Sequence, residues 1–108
     1  MMELQDSMGR GAKALYYSHD TFGLGHLRRT LTLARYFENS VPGLSQLIVT
    51  GSPVASRFEY PGDTDFIKLP SVTKDASGEY QPRSLSRSSF ESVRDMRRDI
   101  ILGAARNF

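Results

Sequence analysis

Residues 18–29 read Ser-His-Asp-Thr-Phe-Gly-Leu-Gly-His-Leu-Arg-Arg. Two histidines, an aspartate, two glycines and two arginines fall within one short segment. Imidazole titrates near neutral pH, so His19 and His26 can exchange protons with a substrate or donate hydrogen bonds to it. Glycine lets a backbone turn sharply and approach a ligand closely, which fits Gly23 and Gly25 flanking Leu24. Free N–H groups at the start of a following helix favour an anion. Arg28 and Arg29 fall in the first helical turn, where a cation opposes the helix dipole by roughly 0.3–1 kcal/mol. Local helix stability does not account for them. An anionic ligand or a carboxylate from another segment would, and so would simple solvent exposure.

Three familiar ligand chemistries can be tested on this loop. A dinucleotide fingerprint requires Gly-x-Gly-x-x-Gly, but Arg28 stands where the third glycine belongs. It also requires an acid about 20 residues on, and residues 43–52 contain none. The Gly-Lys-Ser/Thr of a phosphate-binding Walker loop is absent. A metal site would have only His19, His26 and Asp20, without paired ligand spacing, so no metal is expected. The functional reading of this loop is substrate or phosphate binding by Gly23, Leu24, Gly25, Arg28, Arg29 and His19, with His26 as a general base or a substrate hydrogen-bond donor. Capping of the helix by His26 is the structural alternative.

The flanking elements position this loop. Residues 13–18, Lys-Ala-Leu-Tyr-Tyr-Ser, have the length and composition of a strand. From His26 the period changes: Leu27, Leu31, Ala34 and Phe37 share one face of an amphipathic helix that Val41-Pro42-Gly43 stops. Residues 46–50 predict a second strand and residues 65–69 a third, with a short helix or irregular segment between them. Residues 71–87 read as a long surface loop. Ser88-Ser89-Phe90-Glu91 is a capping-box pattern, with Ser88 as cap and Glu91 reaching back. Phe90, Val93, Met96, Ile100, Ala104 and Phe108 continue it at helical spacing. Alternating strands and helices imply an α/β fold with a parallel sheet. Strands without clean polar–apolar alternation fit a sheet covered on both faces.

Composition limits the rest. The 108 residues suffice for one core, and 39% hydrophobic with 24% charged residues is ordinary for a globular protein. With no cysteine there are no disulfides and no thiolate metal sites. No apolar run approaches the roughly 20 residues of a membrane helix, and no signal peptide is visible, so a cytoplasmic location is expected. Residues 1–12 read as a flexible leader and residues 13–108 as one incomplete Rossmann-like domain, because the next element of the alternation would be another strand. Six arginines and three acids crowd residues 83–108. That is either a solvated helix face or an anion-facing surface. Without interleaved aromatics it does not indicate nucleic acid.

Residues 16–20, Tyr-Tyr-Ser-His-Asp, followed by Gly23-Leu24-Gly25-His26-Leu27-Arg28-Arg29-Thr30-Leu31, resemble the opening of predicted glycosyltransferases of the GT-B fold. These are relatives of the enzyme that adds N-acetylglucosamine to lipid-linked muramyl peptide. The likeness extends through Ile48-Val49-Thr50-Gly51-Ser52-Pro53 and Phe66-Ile67-Lys68-Leu69-Pro70-Ser71-Val72 to Lys74, Gly78-Glu79-Tyr80 and Pro82-Arg83. The resemblance implies that the chain is the N-terminal, acceptor-side half of a GT-B enzyme. Such an enzyme moves a sugar from a nucleotide-sugar donor to an acceptor hydroxyl. It implies that the glycine loop faces a cleft near phosphate, that His26 touches substrate or deprotonates the acceptor, and that no separate cofactor is needed. A lipid-linked acceptor would add peripheral membrane contact. Without the donor half, the 108 residues alone are expected to be inactive. The muramyl-peptide enzyme has doubled glycines where this chain has Thr21-Phe22 and Leu24. The Gly-x-Gly-His-x-x-Arg pattern ending at Arg29 is also similar to nucleotide-sugar hydrolases of the same fold, in which histidine activates water. A non-catalytic anion- or partner-binding module is the third possibility.

Overall fold

The computed structural model describes residues 11–20 and 25–108. Among the described residues it is an α/β fold with a three-stranded parallel sheet and two α-helices. Strand β1 (Lys13–Ser18) leads to helix α1 (Gly25–Ser40), then β2 (Ser45–Thr50), a single 3-10 turn (Ala55–Arg57) and β3 (Thr64–Lys68). The order across the sheet is β1-β2-β3, with β2 in the centre. The register sets Ser18 beside Thr50 and Thr50 beside Lys68, so all three strands end together. The three strands and α1 fall within one residue of the boundaries read from the sequence. Residues 1–10, most of the expected leader, lie outside the described residues.

Helix α1 covers one face of the sheet. Leu27, Leu31 and Ala34 recur every three or four residues, and all three are buried against Ile48 and Ala55. Tyr16, Phe58, Tyr60 and Phe66 close the edges of this core, the rings of Tyr60 and Phe66 stacking at 4.7 Å. Gln46 is a polar residue inside it. Its amide donates to the Ala34 carbonyl at 2.8 Å and its oxygen accepts from the Tyr16 hydroxyl, so a buried amide is satisfied and ties α1 to both strands. Phe37, expected on the buried face, is 38% exposed. It sits in the last turn of α1 with its ring edge-on to Tyr36.

Two expectations are corrected here. Residues 71–87 are not simply a loop. They contain a second, two-stranded antiparallel sheet, β4 (Val72–Lys74) and β5 (Tyr80–Pro82), closed by a tight turn. Strands of three residues are too short for a period to show in the sequence. The second correction concerns helix α2 (Phe90–Asn107). Its cap is Ser89, not Ser88: the Ser89 hydroxyl accepts from the Ser92 N–H at 3.0 Å. Its inward residues are Val93 and Arg97, while Met96 is 42% exposed. Ser89→Ala is expected to cost about 1 kcal/mol in chemical denaturation, whereas Ser88→Ala should cost a few tenths at most. An equal loss from both would place the cap wrongly. Among the described residues no helix is long and apolar enough to cross a membrane.

Candidate functional site

The three parallel strands end at a cleft of about 290 Å³. Such a position, beyond the carboxyl ends of the strands, is where open α/β sheets hold ligands. His19 and Asp20 reach the cleft from the end of β1, and His26 from the first turn of α1. Lys74, Tyr80 and Arg83 reach it from the hairpin. The rings of His19 and His26 face each other edge-on, with centroids 6.4 Å apart. The structure therefore brings together both histidines read from the sequence.

The other sequence-predicted residues divide. Gly25 is exposed at the start of α1, and a Cβ there would meet nothing within 4 Å. Packing against the described residues therefore does not demand glycine at this position. Arg28 and Arg29 are exposed on α1 and do not line the cleft. Gly23 and Leu24 lie outside the described residues. Among the described residues no three His, Cys, Asp or Glu side chains cluster as a metal site would require.

Asp20 and Arg97, absent from the expected site, hold it in place. The Arg97 guanidinium donates to both Asp20 oxygens, at 2.9 and 3.1 Å, and to the Pro70 carbonyl at 2.7 Å. The side chains are only 9% and 3% exposed. Asp20 also accepts from the Val72 N–H at 2.9 Å, which docks the hairpin onto the end of β1. Gly51 makes room for the carboxylate: a Cβ there would overlap it. Burial opposes the Arg97 charge, but the Asp20 hydrogen bonds and charge, with Tyr17, outweigh it and raise the guanidinium above its usual pKa. Nearby, burial lowers Lys68; Asp20 opposes that shift, and the Arg97 and Arg83 charges reinforce it. Lys68 donates instead to the Leu69 carbonyl and the Ser71 hydroxyl, both at 2.9 Å, behind the hairpin.

From Arg97 a run of hydrogen bonds reaches the cleft. Arg97 donates to the Tyr17 hydroxyl at 2.9 Å, which lies 2.9 Å from His19 Nδ1. His19 Nε2 lies 3.0 Å from the Tyr80 hydroxyl. Tyr80 pairs with Lys74 across the hairpin, whose ammonium sits 5.3 Å from the Tyr80 ring centre. The remaining arginines of α2 follow the plainer reading of the basic stretch. Arg94 and Arg98 are exposed and pair with Asp95 and Asp99 on the solvent face.

The turn that carries Tyr80 is built by Asp75. One of its oxygens accepts from the Ser77 hydroxyl at 2.7 Å, the Ser77 N–H at 2.9 Å and the Glu79 N–H at 3.0 Å. Gly78 takes the left-handed conformation the turn needs, with φ of 84°. The Ser77 hydroxyl, then the Glu79 N–H, hold the Asp75 carboxyl below its usual value of 3.8. A depressed carboxylate contributes stability above its unfolded pKa and loses it as pH falls through the folded value. The hairpin is therefore expected to loosen in acid below about pH 4, and in Asp75→Ala at neutral pH. Faster amide exchange at Ser77 and Glu79 would report both. Unchanged exchange in the variant would contradict this account of the turn.

No family model, curated protein or solved structure gives a significant match to this chain.

Proposed function

We propose that this chain is the acceptor-side part of a GT-B glycosyltransferase, moving a sugar from a nucleotide sugar to an acceptor hydroxyl. The observation that carries the reading is the placing of His26. Its exposed imidazole lines a cleft at the carboxyl ends of parallel strands, on the first turn of the helix that follows β1. An acceptor hydroxyl in that cleft would pass its proton to the His26 imidazole as its oxygen bonds to the sugar carbon. The bond from that carbon to the nucleotide diphosphate breaks, and the diphosphate leaves with the electron pair. Lys74 and Arg83, cations on the same cleft, support a negatively charged ligand. With water in place of the acceptor hydroxyl, the same residues would hydrolyse the nucleotide sugar.

The test uses protein from the complete reading frame, incubated with nucleotide sugars and candidate acceptors. Nucleotide release with a glycosylated acceptor supports transfer, and release with free sugar assigns hydrolysis. No consumption of any nucleotide sugar would leave only a binding module.

A further inference from the structure

The hydrogen bonds behind the cleft can all run one way, outward from Arg97. A guanidinium can only donate. Arg97 therefore uses one lone pair of the Tyr17 oxygen, which leaves the Tyr17 proton available to His19 Nδ1, 2.9 Å away. A neutral imidazole accepting at Nδ1 carries its proton on Nε2. That proton points at the Tyr80 oxygen, 3.0 Å away. Tyr80 then has its own O–H free to donate, on the wall of the cleft between Lys74 and Arg83. Asp20 is the single carboxylate lining this cleft among the described residues, and its charge is taken up by Arg97. The remaining charged groups there are cations.

We propose that the Tyr80 hydroxyl, with Lys74 and Arg83, is a contact for a phosphate oxygen of the ligand, and that Arg97, Tyr17 and His19 are positioning residues that aim it. His19 is then not a base. Its ring nitrogens are both engaged by tyrosines, and the proton-transfer role rests with His26. The proposal deepens the functional reading and rests on the cleft being the ligand site, but not on the identity of the reaction.

Two measurements on the 108-residue chain test it. The first is the ¹⁵N spectrum of His19 near pH 8.5, where an ordinary imidazole is neutral. Nε2 is expected to carry the proton and Nδ1 to show a hydrogen-bonded lone pair. Tyr17→Phe, which keeps the ring, should shift Nδ1 toward the position of an unbonded acceptor. A proton on Nδ1, or an Nδ1 resonance unmoved in Tyr17→Phe, would overturn the relay. The second is binding of inorganic pyrophosphate and, separately, of phosphatidic acid vesicles against phosphatidylcholine vesicles. Tyr80→Phe keeps the ring beneath Lys74 and is expected to weaken binding about tenfold, as for a hydrogen bond to an anion. Saturable binding of pyrophosphate points to a soluble phosphate, and of acidic vesicles alone to a lipid-linked one. Binding of neither, or equal binding by Tyr80→Phe, would overturn the contact. If phosphate binds as expected while the complete protein turns over no nucleotide sugar, the functional reading fails and this site stands.

Discussion

Arg97→Ala is expected to destabilise the protein by about 3–5 kcal/mol, the range for removing one partner of a buried ion pair. The reason is what the change leaves behind. Asp20 would remain buried with the Val72 N–H and without its hydrogen-bonded cation, and the Pro70 carbonyl and Tyr17 hydroxyl would each lose a donor. A small domain has only about 5–15 kcal/mol in total, so urea denaturation should show a large fall in midpoint. Arg97→Lys should recover only part of the loss, because an ammonium cannot supply the planar fork that serves Asp20, Pro70 and Tyr17 together. The double change Asp20→Asn with Arg97→Met removes both charges and should cost less than Arg97→Ala alone. A loss below about 1 kcal/mol in Arg97→Ala would mean that the pair is not what holds the hairpin and α2 to the end of β1.

His26→Ala is the second large effect, and of the opposite kind. The side chain is exposed, so the denaturation midpoint should move by no more than about 0.5 kcal/mol equivalent. Turnover should fall by about a hundredfold or more, because a positioned general base contributes about 10²–10⁴. The contrast between the two variants separates architecture from chemistry. Arg97 is far from solvent and governs folding. His26 lines the cleft and, as the proposed general base, should govern rate.

Much of this arrangement was legible before any coordinates. The apolar run at 13–18, the Leu27-Leu31-Ala34 stripe and the β-branched centre of residues 46–50 specify their elements locally, and the structure follows them closely. His19 directly follows β1 and His26 lies in the first turn of α1, so the strand-then-helix order sets both at the same end of the sheet, where their ring centroids are 6.4 Å apart. The pair Asp20–Arg97 could not be read in the same way. Its partners lie 77 residues apart; the local signal is only that Arg97, four residues after Val93 and three before Ile100, falls on the apolar face of α2 while Arg94 and Arg98 do not. The helical spacing even favoured Met96 as the inward residue. The buried carboxylate decides the matter, because Asp20 at the strand end needs a cation and α2 brings Arg97 to it.

The hairpin was missed for a related reason. Its strands are held by docking, through Asp20 to Val72, and their short ladder is extended by the Arg83 N–H donating to the Ser71 carbonyl at 2.9 Å. Composition alone makes such a segment look like a loop. The available signal was Asp75-x-Ser77-Gly78, an aspartate two residues before a serine and three before a glycine, which is turn chemistry. The cap at Ser89 instead of Ser88 is a choice between adjacent serines that only the backbone can make. Arg28 and Arg29, whose types suggested the site, are exposed on α1 and are not among the residues that line the cleft.

The central claim is that the cleft is where sugar transfer takes place, with His26 taking the proton. The most direct measurement is nucleotide-sugar turnover by protein from the complete reading frame, wild type beside His26→Ala, with both denaturation midpoints recorded. The account predicts a glycosylated acceptor from the wild type, a kcat reduced by about a hundredfold or more in the variant, and matching midpoints. Equal turnover by the two proteins would contradict it, leaving His26 as a helix-terminal residue with no part in the chemistry.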